Sequence, residues 1–169
     1  MSIQDIIREM QEKHPHLTIE NLHTEGEDTG YVRISLDKEK RIPDRKVRGK
    51  VLKDRARKAG YSGADADGIL RVTAYMEEHL QENTGLEELA RIAHMSPAKL
   101  KYTFSDLMYC PVREYRKELR IRQACFLLKE TELDMDEIAR RLGYKKTASF
   151  TELFKKQMQM SPKEYRQSA

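Results

Sequence analysis

Apolar and polar residues follow two different patterns along this chain, and the change falls near residues 64–68. Before it, the two types alternate over Leu17–Leu22 and Tyr31–Leu36, as they do on β-strands, with an acidic, glycine-containing turn in between. A short helical pattern over Ile3–Met10 precedes both stretches. After it, apolar residues recur at the three- and four-residue intervals of amphipathic helices. The pattern predicts a small α+β module followed by a helical domain.

The helical part carries clear signals for where helices begin. Ser96-Pro97 and Ser161-Pro162 each place a capping side chain before a proline at the first helical position, where a missing N–H group costs nothing. The longest pattern, 112–129, separates two groups of shorter ones. The predicted helices cover residues 69–82, 86–93, 97–107, 112–129, 135–142, 147–157 and 162–167.

An internal repeat organises this helical part. Leu89-Ala90-Arg91 recurs as Ile138-Ala139-Arg140, roughly 50 residues further on. A repeat that contains a short helix, a tight turn and a second helix indicates a duplicated supersecondary unit. Later members of the two copies are Leu100, Phe104 and Tyr115-Arg116 in the first, and Phe150, Phe154 and Tyr165-Arg166 in the second.

Each copy has the residues that a helix-turn-helix unit needs. Ala90 and Ala139 are small enough for two helix axes to approach closely at a steep crossing. The turn that follows requires a positive φ, which Gly143 adopts freely in the second copy. The first copy has His94 there, and histidine tolerates this conformation better than most side chains.

These motifs resemble the AraC/XylS family of bacterial transcription regulators. The second copy carries most of the resemblance: Ile138–Tyr144, then Phe150, then Met160-Ser161-Pro162 and Tyr165-Arg166. The match covers roughly residues 69–169. It implies a mainly α fold with two helix-turn-helix units, at about 69–110 and 118–167, in a DNA-binding domain over residues 64–169. Residues 1–63 would then form the small N-terminal module.

The resemblance also implies which residues meet DNA. The second helix of each unit enters one of two successive major-groove segments, and a long helix holds the two apart. The implied base contacts are Ala98, Lys101 and Tyr102 in the first unit, and Lys146, Thr147, Ala148, Thr151 and Glu152 in the second. The implied phosphate contacts are Lys99, Lys145, Lys155 and Lys156.

The sequence departs from the family pattern at a few positions. Tyr102 and Glu152 stand where the family usually has arginine, the most common reader of guanine, so we expect an unusual operator preference. Gln159 stands where the family tends to have glycine, so the turn into the last helix is expected to differ. His94 in place of glycine is the remaining departure.

Charge gives weaker information than the repeat. The formal net charge is +4, so nucleic-acid binding depends on where basic residues cluster. The densest run is Lys40–Lys58, ending near Gly60, a plausible helix C-cap. A solvated basic helix is the simplest interpretation of this run. Auxiliary contact with DNA phosphates and binding of a protein partner are the alternatives.

No cofactor or metal site is predicted. Cys110 and Cys125 lie in apolar helical patterns without CxxC spacing, which indicates reduced, buried thiols. His14, His16 and His23 have no carboxylate or thiol at ligand spacing. The chain has neither an apolar run of about 18 residues nor a secretory signal, so the default expectation is a cytosolic protein that does not enter a membrane.

An enzyme is disfavoured, and no catalytic residues are predicted. The sequence contains no glycine-rich phosphate loop, Gly-x-Ser-x-Gly elbow or HExxH motif. Some relatives of the resembled domain are fused to DNA-repair alkyltransferases that use a zinc-held cysteine, but the N-terminal part here has no cysteine.

We therefore expect a sequence-specific transcription regulator that binds double-stranded DNA at an asymmetric operator. The resemblance favours an activator and implies RNA polymerase as a partner. The alternative is a helical protein-interaction module that uses the same fold without reading DNA.

Overall fold

The computed structural model describes residues 17–22, 31–36, 43 and 45–168. The chain divides into two compact units, Met1–Val51 and Leu52–Ala169. In the first unit, strands β1 (Leu17–Leu22) and β2 (Tyr31–Leu36) pair antiparallel, with Leu17 opposite Leu36 and Leu22 opposite Tyr31. Both strands have the predicted bounds. The helix predicted over Ile3–Met10, the turn between the strands and the three N-terminal histidines lie outside the described residues.

The remaining described residues fold into helices separated by short turns. The predicted helices from residue 86 onward are all present, and their ends agree within one residue. The helices are α1 (Arg45–Ala59), α2 (Gly63–Glu78), α3 (Leu86–Ala93), α4 (Pro97–Met108), α5 (Val112–Glu130), α6 (Met135–Arg141), α7 (Thr147–Met158) and α8 (Pro162–Gln167).

The part of the basic run from Arg45 onward forms helix α1, which ends as predicted. Gly60 follows α1 with a φ of 79°, and the Tyr61 N–H donates to the Ala56 carbonyl at 2.8 Å. This bond and the left-handed glycine satisfy carbonyls that the helix end would otherwise leave open.

The bounds predicted for α2, residues 69–82, are wrong at both ends. The helix begins at Gly63 because Ser62 and Asp65 form a reciprocal capping box: the Asp65 N–H donates to the Ser62 hydroxyl and the Ser62 N–H donates to the Asp65 carboxylate, each at 3.1 Å. Glycines on either side of Ser62 are typical of a linker, and they obscured this start signal. The helix ends at Glu78, and the segment 79–84 is a loop with contacts of its own.

The two helix-turn-helix units each pack an aromatic pair at the same place in the repeat. In the first, α2, α3 and α4 pack together, and the Phe104 and Tyr115 rings meet edge to face at 5.5 Å. In the second, α6, α7 and α8 close over the end of α5, and Phe154 meets Tyr165 at 5.5 Å in the same way. The predicted fold class, mainly α with two such units joined by a long helix, is confirmed.

Helix α5 belongs to both cores. Its first turn contributes Tyr115 to one and its last turns contribute Leu127 and Leu128 to the other. Among the helices that the structure describes, none has the length and apolar character to cross a membrane.

Candidate nucleic-acid interface

The turns of the two units have the same backbone geometry, as the repeat predicts. His94 has a φ of 56° and Gly143 a φ of 80°. The next N–H group, of Met95 or Tyr144, donates to the carbonyl of the small alanine, Ala90 or Ala139, at 2.9 Å in each unit. The predicted left-handed conformation of His94 is therefore confirmed.

The turns into α5 and α8 also match each other. Tyr109 and Gln159 occupy equivalent positions and have φ values of 55° and 59°. Gln159, in place of the family's usual glycine, adopts the left-handed conformation that a glycine would adopt. The expectation that Gln159 alters this turn is therefore wrong, since the conformation is kept despite the side chain.

Helix α4, the predicted recognition helix of the first unit, starts at a serine cap and presents an open face. The Ser96 hydroxyl accepts from the Lys99 N–H at 3.2 Å. Ala98, Lys101 and Tyr102 are exposed, Tyr102 by 63%. The Lys101 ammonium lies 5.9 Å from the centre of the Tyr102 ring, at the outer limit for attraction between a cation and an aromatic face.

Lys99, a predicted phosphate contact, already has a carboxylate partner. Its ammonium lies 2.7 Å from the Asp65 carboxylate in the α2 capping box. The hydrogen bond from Lys99 holds the pKa of Asp65 below its ordinary value, and the bonds with Ser62 act in the same direction. Lys99 therefore joins the start of α2 to the recognition helix, and a phosphate would have to compete with Asp65 for it.

Helix α7 is the predicted recognition helix of the second unit. Lys146, Ala148 and Glu152 are exposed on it, and Thr151 is half-buried. Its N-cap residue, Lys146, makes no capping hydrogen bond through its side chain. Instead, the Thr147 hydroxyl donates to the Asp136 carboxylate on α6, so this predicted base contact is also tied to its own unit.

The other predicted phosphate contacts, Lys145, Lys155 and Lys156, are all exposed. They lie at the two ends of α7, with Glu152 between them in sequence. The structure thus places the twelve predicted contacts on α4, on α7 and in the two residues before α7, and leaves none of them buried. Their roles in DNA binding remain predictions.

A buried arginine joins the two helix-turn-helix units, and the sequence analysis missed it. Arg120 of α5 is only 7% exposed. It donates to the Leu80 carbonyl at 2.9 Å, and to the Glu82 carbonyl and Asn83 side-chain oxygen at 3.2 and 3.0 Å. Its guanidinium also lies 5.3 Å from the Tyr144 ring. Burial lowers the pKa of Arg120.

Backbone packing reinforces this link between the units. A Cβ atom built on Gly143 would lie 2.4 Å from the Gln81 carbonyl oxygen and 2.8 Å from the Arg120 guanidinium. The turn of the second helix-turn-helix unit therefore packs closely against the loop that follows α2. Glycine is required at 143 for two reasons, the positive φ and the absence of room.

A groove of about 630 Å³ lies between the two helix-turn-helix units, and both α4 and α7 contribute to it. Lys101 and Ser105 come from α4 and Leu153 from α7. The floor is a basic stripe on α5 that the sequence analysis also missed. Its i, i+3, i+4, i+7 spacing marks one helix face and could have revealed it. The stripe consists of Arg113, Arg116, Lys117 and Arg120.

Comparisons with known proteins agree with this architecture. A family model described as a helix-turn-helix domain matches residues 89–168. The HTH-type transcriptional regulator AlkR of Acinetobacter baylyi is 34% identical over 84 residues, which cover 50% of this chain and 28% of AlkR. AdaA of Bacillus subtilis, a bifunctional transcriptional activator and DNA repair enzyme, is 30% identical over 103 residues, 61% of this chain and 49% of AdaA. The chain spans less than half the length of these two proteins.

A solved structure is matched over most of its own length. The DNA-binding domain of the global transcriptional factor AdpA, crystallised in complex with a target DNA, matches with a TM-score of 0.57 at 30% identity, covering 60% of this chain and 91% of that domain. Its near-complete coverage extends the likeness to both helix-turn-helix units. With the duplicated turns, the shared long helix and these matches together, the chain belongs to the AraC family of helix-turn-helix transcription regulators.

Proposed function

We propose that this chain regulates transcription by binding one asymmetric DNA site through both recognition helices at once. Each helix enters a major-groove segment, and the two segments follow each other on one face of the duplex. Residues 64–169 are the DNA-binding domain and residues 1–63 a separate module in this proposal. No catalytic step, metal or cofactor is assigned.

One observation carries the proposal: α4 and α7 border the same groove, and each has a lysine-bearing, solvent-exposed face. Since Arg120 and Gly143 join the two units, these faces are presented together. Ala98, Lys101 and Tyr102 of the first unit contact bases. In the second unit the base contacts are Lys146, Thr147, Ala148, Thr151 and Glu152. Lys145, Lys155 and Lys156 contact phosphates, and Lys99 does so if DNA displaces Asp65.

We further propose that the chain is an activator and that RNA polymerase is its partner at promoters. Support comes from the family and from AdaA, whose name includes transcriptional activation. A promoter fused to a reporter tests this separately from DNA binding, since an activator raises the signal and a repressor lowers it.

Selection of DNA from a random pool, with the full chain as bait, tests the main proposal. We expect one enriched asymmetric motif that spans about two helical turns. Its affinity should exceed that for random DNA by about 1000-fold or more and should fall steeply with salt.

Charge reversals at the recognition helices then locate the interface. Lys101→Glu and Lys155→Glu should each weaken binding roughly 10- to 100-fold. Arg122→Glu is the matched control, because Arg122 is exposed on α5 and does not line the groove; it should change affinity by less than about threefold. If random DNA competes as well as the selected site, and the lysine variants bind like the control, the chain is a protein-interaction module instead.

A further inference from the structure

The groove between the two units has a strong charge bias. Of the residues that line it in the described part of the chain, five are basic and none is a carboxylate. Apolar residues, among them Leu86, Leu89 and Val112, also line the groove. Five basic residues around one opening, with no carboxylate among the lining residues, favour an anionic occupant.

Three of these cations already bind other groups of the protein. Arg116 donates to the Thr84 carbonyl at 2.6 Å, Arg120 holds the 80–83 loop, and the Lys117 ammonium lies 2.8 Å from the Glu114 carboxylate. Arg113 and Lys101 are exposed. Arg113 makes no ion pair with the residues that the structure describes, so its charge is available to a ligand.

The position of Arg113 relative to the recognition helices identifies the anion. If α4 and α7 occupy successive major-groove segments, the minor groove between those segments must face the protein surface between the helices. Its two phosphate backbones, about 6 Å apart across the minor groove, then pass over the groove floor. Phosphates would thus be brought to Arg113 by the same geometry that inserts the helices.

We propose that the groove is a third DNA contact, in which Arg113 binds the phosphodiester backbone of the segment between the two recognition sites. This inference rests on the proposed function. Arg113 adds affinity without reading sequence, because phosphate contacts carry no base information directly. Lys101 borders the same groove and connects this contact to the base contacts of α4.

Arg113→Gln and Arg122→Gln form a matched pair to test this contact. Arg122 is exposed on the same helix, about half a turn around from Arg113, so both changes remove one charge from α5. We expect Arg113→Gln to weaken binding to the selected site roughly 3- to 10-fold at 0.15 M salt, and equally for random DNA. The slope of log K against log salt should become shallower by about 0.9. Arg122→Gln should leave both quantities unchanged.

Arg113→Lys separates charge from packing. A lysine keeps the cation, so it should restore most of the salt slope, whereas a packing role would leave it as impaired as glutamine. Circular dichroism and the Tm of the three variants check that all fold alike. The inference is overturned if Arg113→Gln matches Arg122→Gln in affinity and slope. Failure of the proposed function is a different result, since the unsubstituted chain would then select no motif at all.

Discussion

At the scale of single residues, glycine is required for different reasons at different places. Gly60 and Gly143 share nearly the same φ, 79° and 80°. Around Gly60 nothing lies within 4 Å of a built Cβ, whereas Gly143 faces the Gln81 backbone. The pair therefore separates the conformational requirement from the steric one.

Alanine at these two glycines should have unequal effects. Gly60→Ala should lower the free energy of unfolding by about 1–2 kcal/mol, the usual penalty of a left-handed non-glycine residue. Gly143→Ala should cost at least about 2 kcal/mol more, because backbone must also move. Urea unfolding of both variants measures the difference. Equal losses of unfolding free energy would mean that the 79–84 loop moves aside at no energetic cost.

Glu152 is the residue most expected to shape DNA preference. The family resemblance implies arginine at this position, and a carboxylate can accept from the cytosine amino group while repelling phosphates. Glu152→Ala should change the preference at one base position of the selected motif by about 1–3 kcal/mol and leave the other positions alone. An unchanged motif in a repeated selection would remove Glu152 from readout.

At the scale of elements, capping decides where several helices begin and how they meet. Asp65 both caps α2 and pairs with Lys99 of α4. Its pKa is lowered by Lys99 first and by Ser62 next. A carboxylate with a lowered folded-state pKa stabilises the fold above its unfolded pKa of about 3.9 and loses that contribution as the pH falls through the folded value.

This coupling predicts a pH dependence of stability that Asp65→Asn reduces. Between pH 7 and pH 3 the Tm of the unsubstituted chain should fall further than that of the variant, since asparagine cannot be protonated in this range. The variant should start from a lower Tm at pH 7. Parallel Tm curves would show that the Lys99–Asp65 pair contributes nothing to folding.

Local patterns predicted most of the elements, and contacts between distant segments account for what they missed. The periodicity and the Ser-Pro caps placed α3 to α8, and the repeat predicted the left-handed His94. The start of α2 was in the sequence, as Ser62 and Asp65, but was hidden between two glycines. The hydrogen bonds from Arg120 to the 80–83 loop have no local sequence signal, because the acceptors lie some 40 residues earlier in the chain.

At the scale of the whole domain, the joined units should read DNA with a fixed spacing. Inserting one base pair between the two halves of the selected motif moves one half by about 3.4 Å and rotates it by about 35°. Since Arg120 and Gly143 resist the compensating movement, the insertion should lower affinity at least about tenfold.

Arg120→Met tests whether that arginine sets the spacing. The variant should bind the original motif more weakly but lose less affinity on the insertion than the unsubstituted chain does, because its units are less tightly joined. Gel-shift titrations of both proteins on both DNAs give the ratio. An identical ratio would assign the spacing to α5 alone.

The close approach of Gly143 to the Gln81 carbonyl also limits which sequence changes can alter the spacing of the two half-sites in related proteins. A larger side chain at that point would displace the Gln81 backbone at a cost in stability, so we do not expect the gap between the two half-sites to be adjusted by substitution there. The accessible route is a change in the length of the segment 79–84, and differences in target architecture among descendants should follow insertions and deletions in that segment.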